Sequence, residues 1–378
     1  MPRGHSCPRK AGYNPTFWED NIGAILHPVR GTLIIAAGVP VLLVLTIIFT
    51  KLTGNHTFAD AVTKGIRYVL AVELVGFLIA ASLGFVYEQG AEKRDHELYP
   101  PPGRLVDIGG YRLHLHCSGT GPTVVLEYGQ QGSYVDWHRV QPQLADFARV
   151  CIYDRGGYGW SDANPKSRVP SVIAGELHSL LHSAGEKPPY ILVGHSFGGL
   201  SALMFAHKFP DEVEGVVLVD ASMPEMMSRL GWRDGIRLRV MQGAIPFGLP
   251  RWRGWCGGNA PAAIRGLKQA ITCRSSLYAA YYREWVSFPE SAAEVRAITS
   301  IGSIPLVVIA RDPAIAARSE HETKWNEQQH ARTKLSSKSE FMVATGSGHD
   351  VPLDRPDVIT AAVRKLIAAQ ASHFASRD

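Results

Sequence analysis

The sequence predicts an α/β fold: a mostly parallel sheet with helices on both faces, preceded by one or two transmembrane helices. Three observations carry this. From residue 105 onward, short apolar runs alternate with helical stretches; those runs are apolar throughout rather than at every second residue; and two long, almost uncharged runs lie within the first hundred residues. Continuous apolar strands separated by helices mark a sheet buried on both sides. An uncharged run of about 20 residues matches the thickness of a bilayer core.

The elements follow in order. Residues 1–31 form a basic tail with Arg3, Arg9, Lys10 and Arg30. Residues 32–50, TLIIAAGVPVLLVLTIIFT, are 19 residues without a charge. As a helix they span about 30 Å, and proline at position 40 is tolerated in a membrane helix. The run starts late, is long and lacks a small-residue cleavage site, which sets it apart from a signal sequence. Residues 68–87, YVLAVELVGFLIAASLGFVY, have the length of a second span but carry Glu73, a carboxylate costly in hydrocarbon unless protonated, paired or near the headgroups. The other reading of this run is a helix on the membrane surface or packed on the first. Lys51, Lys64 and Arg67 lie between the runs, and Lys93, Arg94 and Arg104 follow them. A hairpin with both ends on the positive side puts the C-terminal domain in the cytoplasm, and a single span reverses that. The membrane region covers residues 32–98, with helices at about 32–50 and 68–87, and YPPPGR at 99–104 is a linker.

Past the linker, RLVDIGGYRLHLHCSG reads as two strands joined at Gly109-Gly110, an antiparallel hairpin at the sheet edge. TVVLEYG (123–129), RVCIYD (149–154), YILVGH (190–195) and VEGVVLVDAS read as strands, separated by helices near 136–148, in VPSVIAGELHSLLHSAG and in FGGLSALMFAHKF. IPLVVIA (304–310), a polar helix around 320–334, SEFMVAT (339–345) and a helix near 355–370 complete the pattern. The core is therefore expected over 105–220 and 304–372, with residues 221–303 inserted between two strands.

Composition narrows the function. The chain has 378 residues, of which 46% are hydrophobic and 19% charged, with a formal net charge of +5. That balance supplies a large core and is not the footprint of a nucleic-acid binder. The five cysteines are Cys7, Cys117, Cys151, Cys256 and Cys273, none in CxxC spacing, so neither a zinc site nor a disulfide framework is implied. Cys117 and Cys151 fall in strands and are expected as buried thiols, while Cys256 and Cys273 could pair in an oxidising compartment.

The stretch LVGHSFGGL at 192–200 places Ser196 between Gly194 and Gly198. A G-x-S-x-G pattern arises by chance in about one chain of this length in ten, so its context has to decide. Ser196 leaves a strand and enters a helix, at the strand ends where open parallel sheets gather reactive groups. The residue after position 194 that a dinucleotide fingerprint requires as glycine is this serine, and the Gly-Lys-Ser/Thr of a phosphate loop is absent. A serine hydroxyl needs a base. His349, in TGSGHDVPLDRP, follows the last strand on the same sheet edge. His195 adjoins the serine and is expected to point away; His178, His182 and His207 sit in helices, and His114 and His116 on an edge strand. The base needs a carboxylate. Asp312, after IPLVVIA, is favoured because it stands one strand-helix unit before His349; Asp220, ending GVVLVD, is the alternative, and Asp350 is poorly placed. Oxyanion donors are expected from the backbone N–H groups of Phe197 and Gln130.

These segments in this order resemble the α/β-hydrolase superfamily over about residues 104–370: EYGQQGS, YDRGGYGWSD, GHSFGG and GSGHDVPLDRP. YDRGGYGWSD is the more telling segment, co-occurring with the serine turn in the esterase, haloperoxidase-like and aminopeptidase-like branches, where it shapes a loop beside the site. By that resemblance Asp154 and Arg155 are structural. Two departures stand out: Glu127-Tyr128-Gly129 where relatives have His-Gly, and ARDPA where they have glycine then aspartate. The resemblance implies that residues 221–303 form an α-helical cap. Its aromatics Trp232, Phe247, Trp252, Trp255, Tyr278, Tyr281, Tyr282, Trp285 and Phe288 would line a pocket or build the cap's own core.

The expectation is a membrane-anchored serine hydrolase, a carboxylesterase for apolar or lipid-like esters, without cofactor or metal. An acyltransferase or amidase using the same residues, or a non-catalytic membrane protein on this fold, are the alternatives.

Overall fold

The computed structural model describes residues 53, 56–164, 166–226, 231–257, 260–315 and 320–375. The apolar run at 32–50 lies outside them. The chain divides into two compact units, residues 1–86 and 87–378.

Helix α1 (His56–Leu98) carries the second apolar run. Over 60–98 it holds an 18-residue window with a mean hydropathy of 2.4, none of it buried. Tyr68, Phe77, Leu83 and Val86 are exposed. By length and composition this helix can cross a bilayer.

The second unit begins with the last turns of α1, where Glu88 and Asp95 pair with Arg251 at 2.9 and 2.7 Å. The strands are β1 (Arg104–Asp107), β2 (Arg112–Ser118), β3 (Thr123–Glu127), β4 (Arg149–Tyr153), β5 (Tyr190–His195), β6 (Val213–Val219), β7 (Leu306–Arg311) and β8 (Ser339–Ala344). They form one eight-stranded sheet in the order β1-β2-β4-β3-β5-β6-β7-β8. The β1–β2 and β2–β4 pairings are antiparallel and all others parallel. The expected edge hairpin is therefore present, at Asp107–Arg112.

Alternate residues of the central strands face opposite layers, as the pleat requires. Val125, Leu192, Val216 and Val308 pack with α3 (Pro170–Ala184) and α4 (Gly198–Lys208). Val124, Ile191, Val217 and Ile309 pack on the other face with α12 (Pro356–Ala375) through Ile359 and Val363. Both faces are covered, which is why these strands carry consecutive rather than alternating apolar residues.

Short helix α2 (Gln141–Ala145) precedes β4. The insertion is helical: α5 (Trp232–Ala244), α6 (Leu249–Trp252), α7 (Ala262–Thr272), α8 (Ser275–Val286) and α9 (Phe288–Arg296). Helix α10 (Glu320–Ala331) joins β7 to β8, and α11 (Val351–Asp354) precedes α12.

The cysteines correct one expectation. Cys117 and Cys151 are a disulfide rather than thiols, joining β2 to β4 where the two residues face each other across the ladder. Cys256 and Cys273 form a second disulfide, tying the segment after α6 to the end of α7. The sequence rule failed because the strand neighbours of β2 are set by topology, which places β4 rather than β3 beside it.

Candidate active site

Ser196 sits between the end of β5 and the start of α4, with φ of +52°. A non-glycine residue there is strained, and such strain persists where the surroundings hold it. They do: the Ser196 N–H donates to the Val219 carbonyl at 3.1 Å, and its carbonyl accepts from Gly199 and Ser222 at 3.0 and 2.9 Å. The flanking glycines are steric necessities. A Cβ on Gly194 would lie 2.6 Å from the Gly198 carbonyl, and one on Gly198 would lie 2.5 Å from the Glu127 carbonyl.

The loop after β8 brings His349 to this serine. Its Nε2 is 3.0 Å from Ser196 Oγ, and its Nδ1 is 2.5 Å from Asp220 Oδ2. Asp220 directly follows β6, is fully buried and has φ of +41°. Asp312 does not reach the histidine. Its carboxylate accepts the Ala314 and Gly346 N–H groups at 2.8 and 2.7 Å, tying down the loops after β7 and β8. The favoured acid position is thus corrected to the alternative. The reason is local: neighbouring strand residues point opposite ways, and Arg311 takes the inward direction at the end of β7.

Arg311 is the feature that the sequence reasoning passed over, although it stands inside the ARDPA departure. Its Nε donates to Asp220 Oδ2 at 2.7 Å, and its Nη2 lies 3.0 Å from His349 Nδ1. Glu322 of α10 holds the guanidinium from the other side at 3.2 Å, and the group lies over the Trp325 ring. The Trp325 indole N–H donates to Asp220 Oδ1 at 2.8 Å. Burial would raise the Asp220 pKa, but the hydrogen bond and charge of His349, followed by the Arg311 guanidinium, outweigh it and hold the carboxyl well below the usual range.

His195, expected to point away from the serine, instead supports the loop that carries His349. Its Nε2 donates to the His349 backbone carbonyl at 2.8 Å, and Trp137 packs edge-on against its ring. Burial, then the neighbouring His349, depresses its pKa to about 4, so at neutral pH the ring is uncharged. That hydrogen bond fixes its proton on Nε2.

The segment after β3 packs on the serine from the other side: a Cβ on Gly129 would lie 3.0 Å from the Ser196 Cβ. Buried Arg155 holds this segment through the Tyr128 and Gly129 carbonyls at 2.7 and 2.9 Å. A trans peptide sets its N–H opposite its carbonyl, so the Gln130 N–H is directed away from Arg155. Phe197, whose N–H is the other expected donor, lies at the N-terminus of α4, and its ring stacks on Phe288 of the insertion. Arg155 Nε in turn donates to Glu284 of α8 at 3.0 Å. Of the aromatics expected to line a pocket, Tyr278 and Phe288 are buried, whereas Trp232, Phe247 and Trp252 are exposed.

Residues 122–242 match the family described as alpha/beta hydrolase fold. YbdG of Bacillus subtilis is 24% identical over 190 residues, which are 49% of this chain and 58% of YbdG, so the chain spans little more than half the length of that relative. Among solved structures, Cfl2 from Burkholderia cenocepacia superposes with a TM-score of 0.54 at 21% identity, covering 69% of this chain and 94% of Cfl2. A thermophilic esterase from Thermogutta terrifontis gives 0.53 at 23% identity, covering 68% and 94%. The sheet order, the serine at the end of β5, the matched segment and these superpositions together show that the chain has the α/β-hydrolase fold.

Proposed function

We infer that this chain is a membrane-anchored serine hydrolase that cleaves carboxylic esters with apolar acyl groups. The observation that carries this reading is the relay from Ser196 Oγ to His349 Nε2 at 3.0 Å, and from His349 Nδ1 to Asp220 Oδ2 at 2.5 Å. Ser196 attacks the ester carbonyl carbon while His349 Nε2 takes the hydroxyl proton. Asp220 accepts the Nδ1–H and stabilises the imidazolium. The oxyanion is held by the Phe197 and Gln130 N–H groups. Collapse expels the alcohol, which takes the proton from Nε2. Water then repeats the sequence on the acyl-enzyme, releasing the acid and regenerating Ser196. Phe288 of the insertion stacks on Trp285 and on Phe197, the residue after Ser196; these apolar cap contacts next to the serine support an apolar acyl group.

The exposed apolar face of α1 supports the anchor. The two disulfides support a location on the oxidising side of the membrane, since cytosolic thiols are kept reduced. This reverses the orientation that charge around the apolar runs predicts. With both runs spanning, Lys51, Lys64 and Arg67, between the runs, would then lie on the cytoplasmic side.

A fluorophosphonate probe tests the nucleophile. It should label the folded chain at Ser196 and leave a Ser196→Ala variant unlabelled; labelling that survives the substitution overturns the assignment. Alkaline phosphatase fused after residue 104 should be active, and an inactive fusion returns the domain to the cytoplasm.

A further inference from the structure

The cap carries an exposed surface that the hydrolytic reading leaves without a use. Trp232, Ile236 and Val240 of α5 recur at i, i+4 and i+8, the spacing of one helix face. They are 72%, 54% and 63% exposed, and Trp252 of α6 is 69% exposed. Solvent normally meets polar residues on such a face. Between residues 231 and 274 there are eight arginines and lysines against a single acid, Asp234. Arg233 lies over the Trp232 ring at 5.3 Å, and Arg253 over the Trp252 ring at 4.9 Å. Exposed indoles paired with cations are the chemistry of the bilayer interface, where the ring enters the acyl boundary and the cation meets a headgroup phosphate.

We propose that the α5–α6 face of the cap docks on an anionic phospholipid surface. Two observations select a bilayer over other anionic partners. The surface is both apolar and cationic, which a soluble polyanion does not match. It also adjoins the point where the apolar helix joins this unit: Glu88, one residue past Tyr87 at the end of the apolar run, pairs with Arg251 of α6. Chain connectivity therefore keeps the end of the apolar run close to α6. Docking would set the cap against the lipid, so that an ester partitioned in the bilayer reaches Ser196 without crossing bulk water. The inference rests on the anchored reading.

The full chain, with Cys7→Ser and a nitroxide at Ile236→Cys, would be placed in nanodiscs of phosphatidylcholine alone or mixed equally with phosphatidylglycerol. Spin relaxation by oxygen and by a water-soluble nickel chelate reports the surroundings of the label. In the acidic discs the label should become oxygen-accessible and nickel-protected, while one at exposed Lys338→Cys stays nickel-accessible in both. Removing two cations with R233Q/R253Q should weaken docking about fivefold per arginine and leave hydrolysis of a water-soluble ester unchanged. Equal nickel access at position 236 in both discs overturns the proposal. So does protection that appears in detergent and grows with protein concentration, because a second copy would then be the occupant. Failure of the chain to enter discs at all would instead overturn the anchor.

Discussion

Replacing Asp220 by asparagine should all but abolish turnover while leaving the fold intact. The carboxylate accepts four donors: His349 Nδ1 at 2.5 Å, Arg311 Nε at 2.7 Å, the Trp325 indole at 2.8 Å and the Arg311 amide at 3.3 Å. An asparagine has one oxygen for these partners, and its amide nitrogen can only donate. With Arg311 and Trp325 competing for the oxygen, His349 Nδ1 loses its acceptor. Arg311 Nη2, already 3.0 Å from Nδ1, then donates to it, which moves the imidazole proton to Nε2. A protonated Nε2 cannot take the proton of Ser196. The expected loss in kcat is about 10⁴-fold, or about 5.5 kcal/mol of transition-state stabilisation. Asp312→Asn loses part of a loop tie made to the Ala314 and Gly346 amides, costing no more than about 1 kcal/mol of stability and little turnover. Steady-state hydrolysis of a short p-nitrophenyl ester, with circular dichroism to check folding, separates the two. A large loss at Asp312 with near-normal turnover at Asp220 would refute the argument.

Other consequences follow from buried groups. Burial lifts the Glu127 carboxyl from 4.5 to about 7, with Arg155 and the Tyr153 hydroxyl only partly offsetting it. The native state therefore binds the extra proton, and stability present below the unfolded pKa is lost as pH rises through 7. Chemical unfolding of the detergent-solubilised chain should show Glu127→Gln gaining on the wild type by about 3 kcal/mol between pH 4.5 and 8; parallel curves would be the contrary result. The two disulfides take up four of the five cysteines, so titration of the denatured, unreduced chain should find one thiol at most rather than five. Replacing Cys256 and Cys273 by serine opens a loop with a sequence separation of 17 and should cost about 3 kcal/mol, read as a lower unfolding midpoint. His195→Phe removes the hydrogen bond to the His349 carbonyl and should lower kcat about tenfold with KM unchanged, a loss of about 1.4 kcal/mol; an unaltered kcat would mean that the loop is held without it.

What could be read from the sequence divides along physical lines. The central strands of the sheet were legible because each is largely apolar and bounded by glycine, proline or a charged turn. Ser196 and His349 were legible because a strand end is a fixed place in an open sheet, and each follows one. The carboxylate that pairs with His349 was not, because two strands are each followed directly by an aspartate and the choice depends on which side chain faces inward, a property of register. Arg311 could have been noticed: a strand otherwise made of Leu306, Val307, Val308, Ile309 and Ala310 ends in a cation immediately before the favoured acid. The Cys117–Cys151 bond was out of reach until strand order placed β4 beside β2. The 32–50 run, which was the clearer of the two membrane signals by composition, falls outside the described residues.

Arg155 links several of these features. It was read as structural from the YDRGGYGWSD segment, and its contacts give that word content. The guanidinium is buried and needs an anion and acceptors to be tolerated. Glu284 of the cap supplies the anion, and the Tyr128 and Gly129 carbonyls supply acceptors. Tyr158 donates to the second Glu284 oxygen at 2.7 Å, so the acid is also committed. A single buried cation thus joins the segment that faces Ser196 to helix α8 of the cap. Because the two carbonyls it holds belong to consecutive peptides, rotation of either would break a bond to a fully buried charge. The Gln130 N–H is in the second of those peptides, so the direction of one expected oxyanion donor is set by a contact whose counter-charge lies in the cap. A displaced α8 would leave the buried Arg155 guanidinium without its counter-charge, a penalty of several kcal/mol. This favours a cap whose α8 stays seated while its exposed α5–α6 face meets its surroundings.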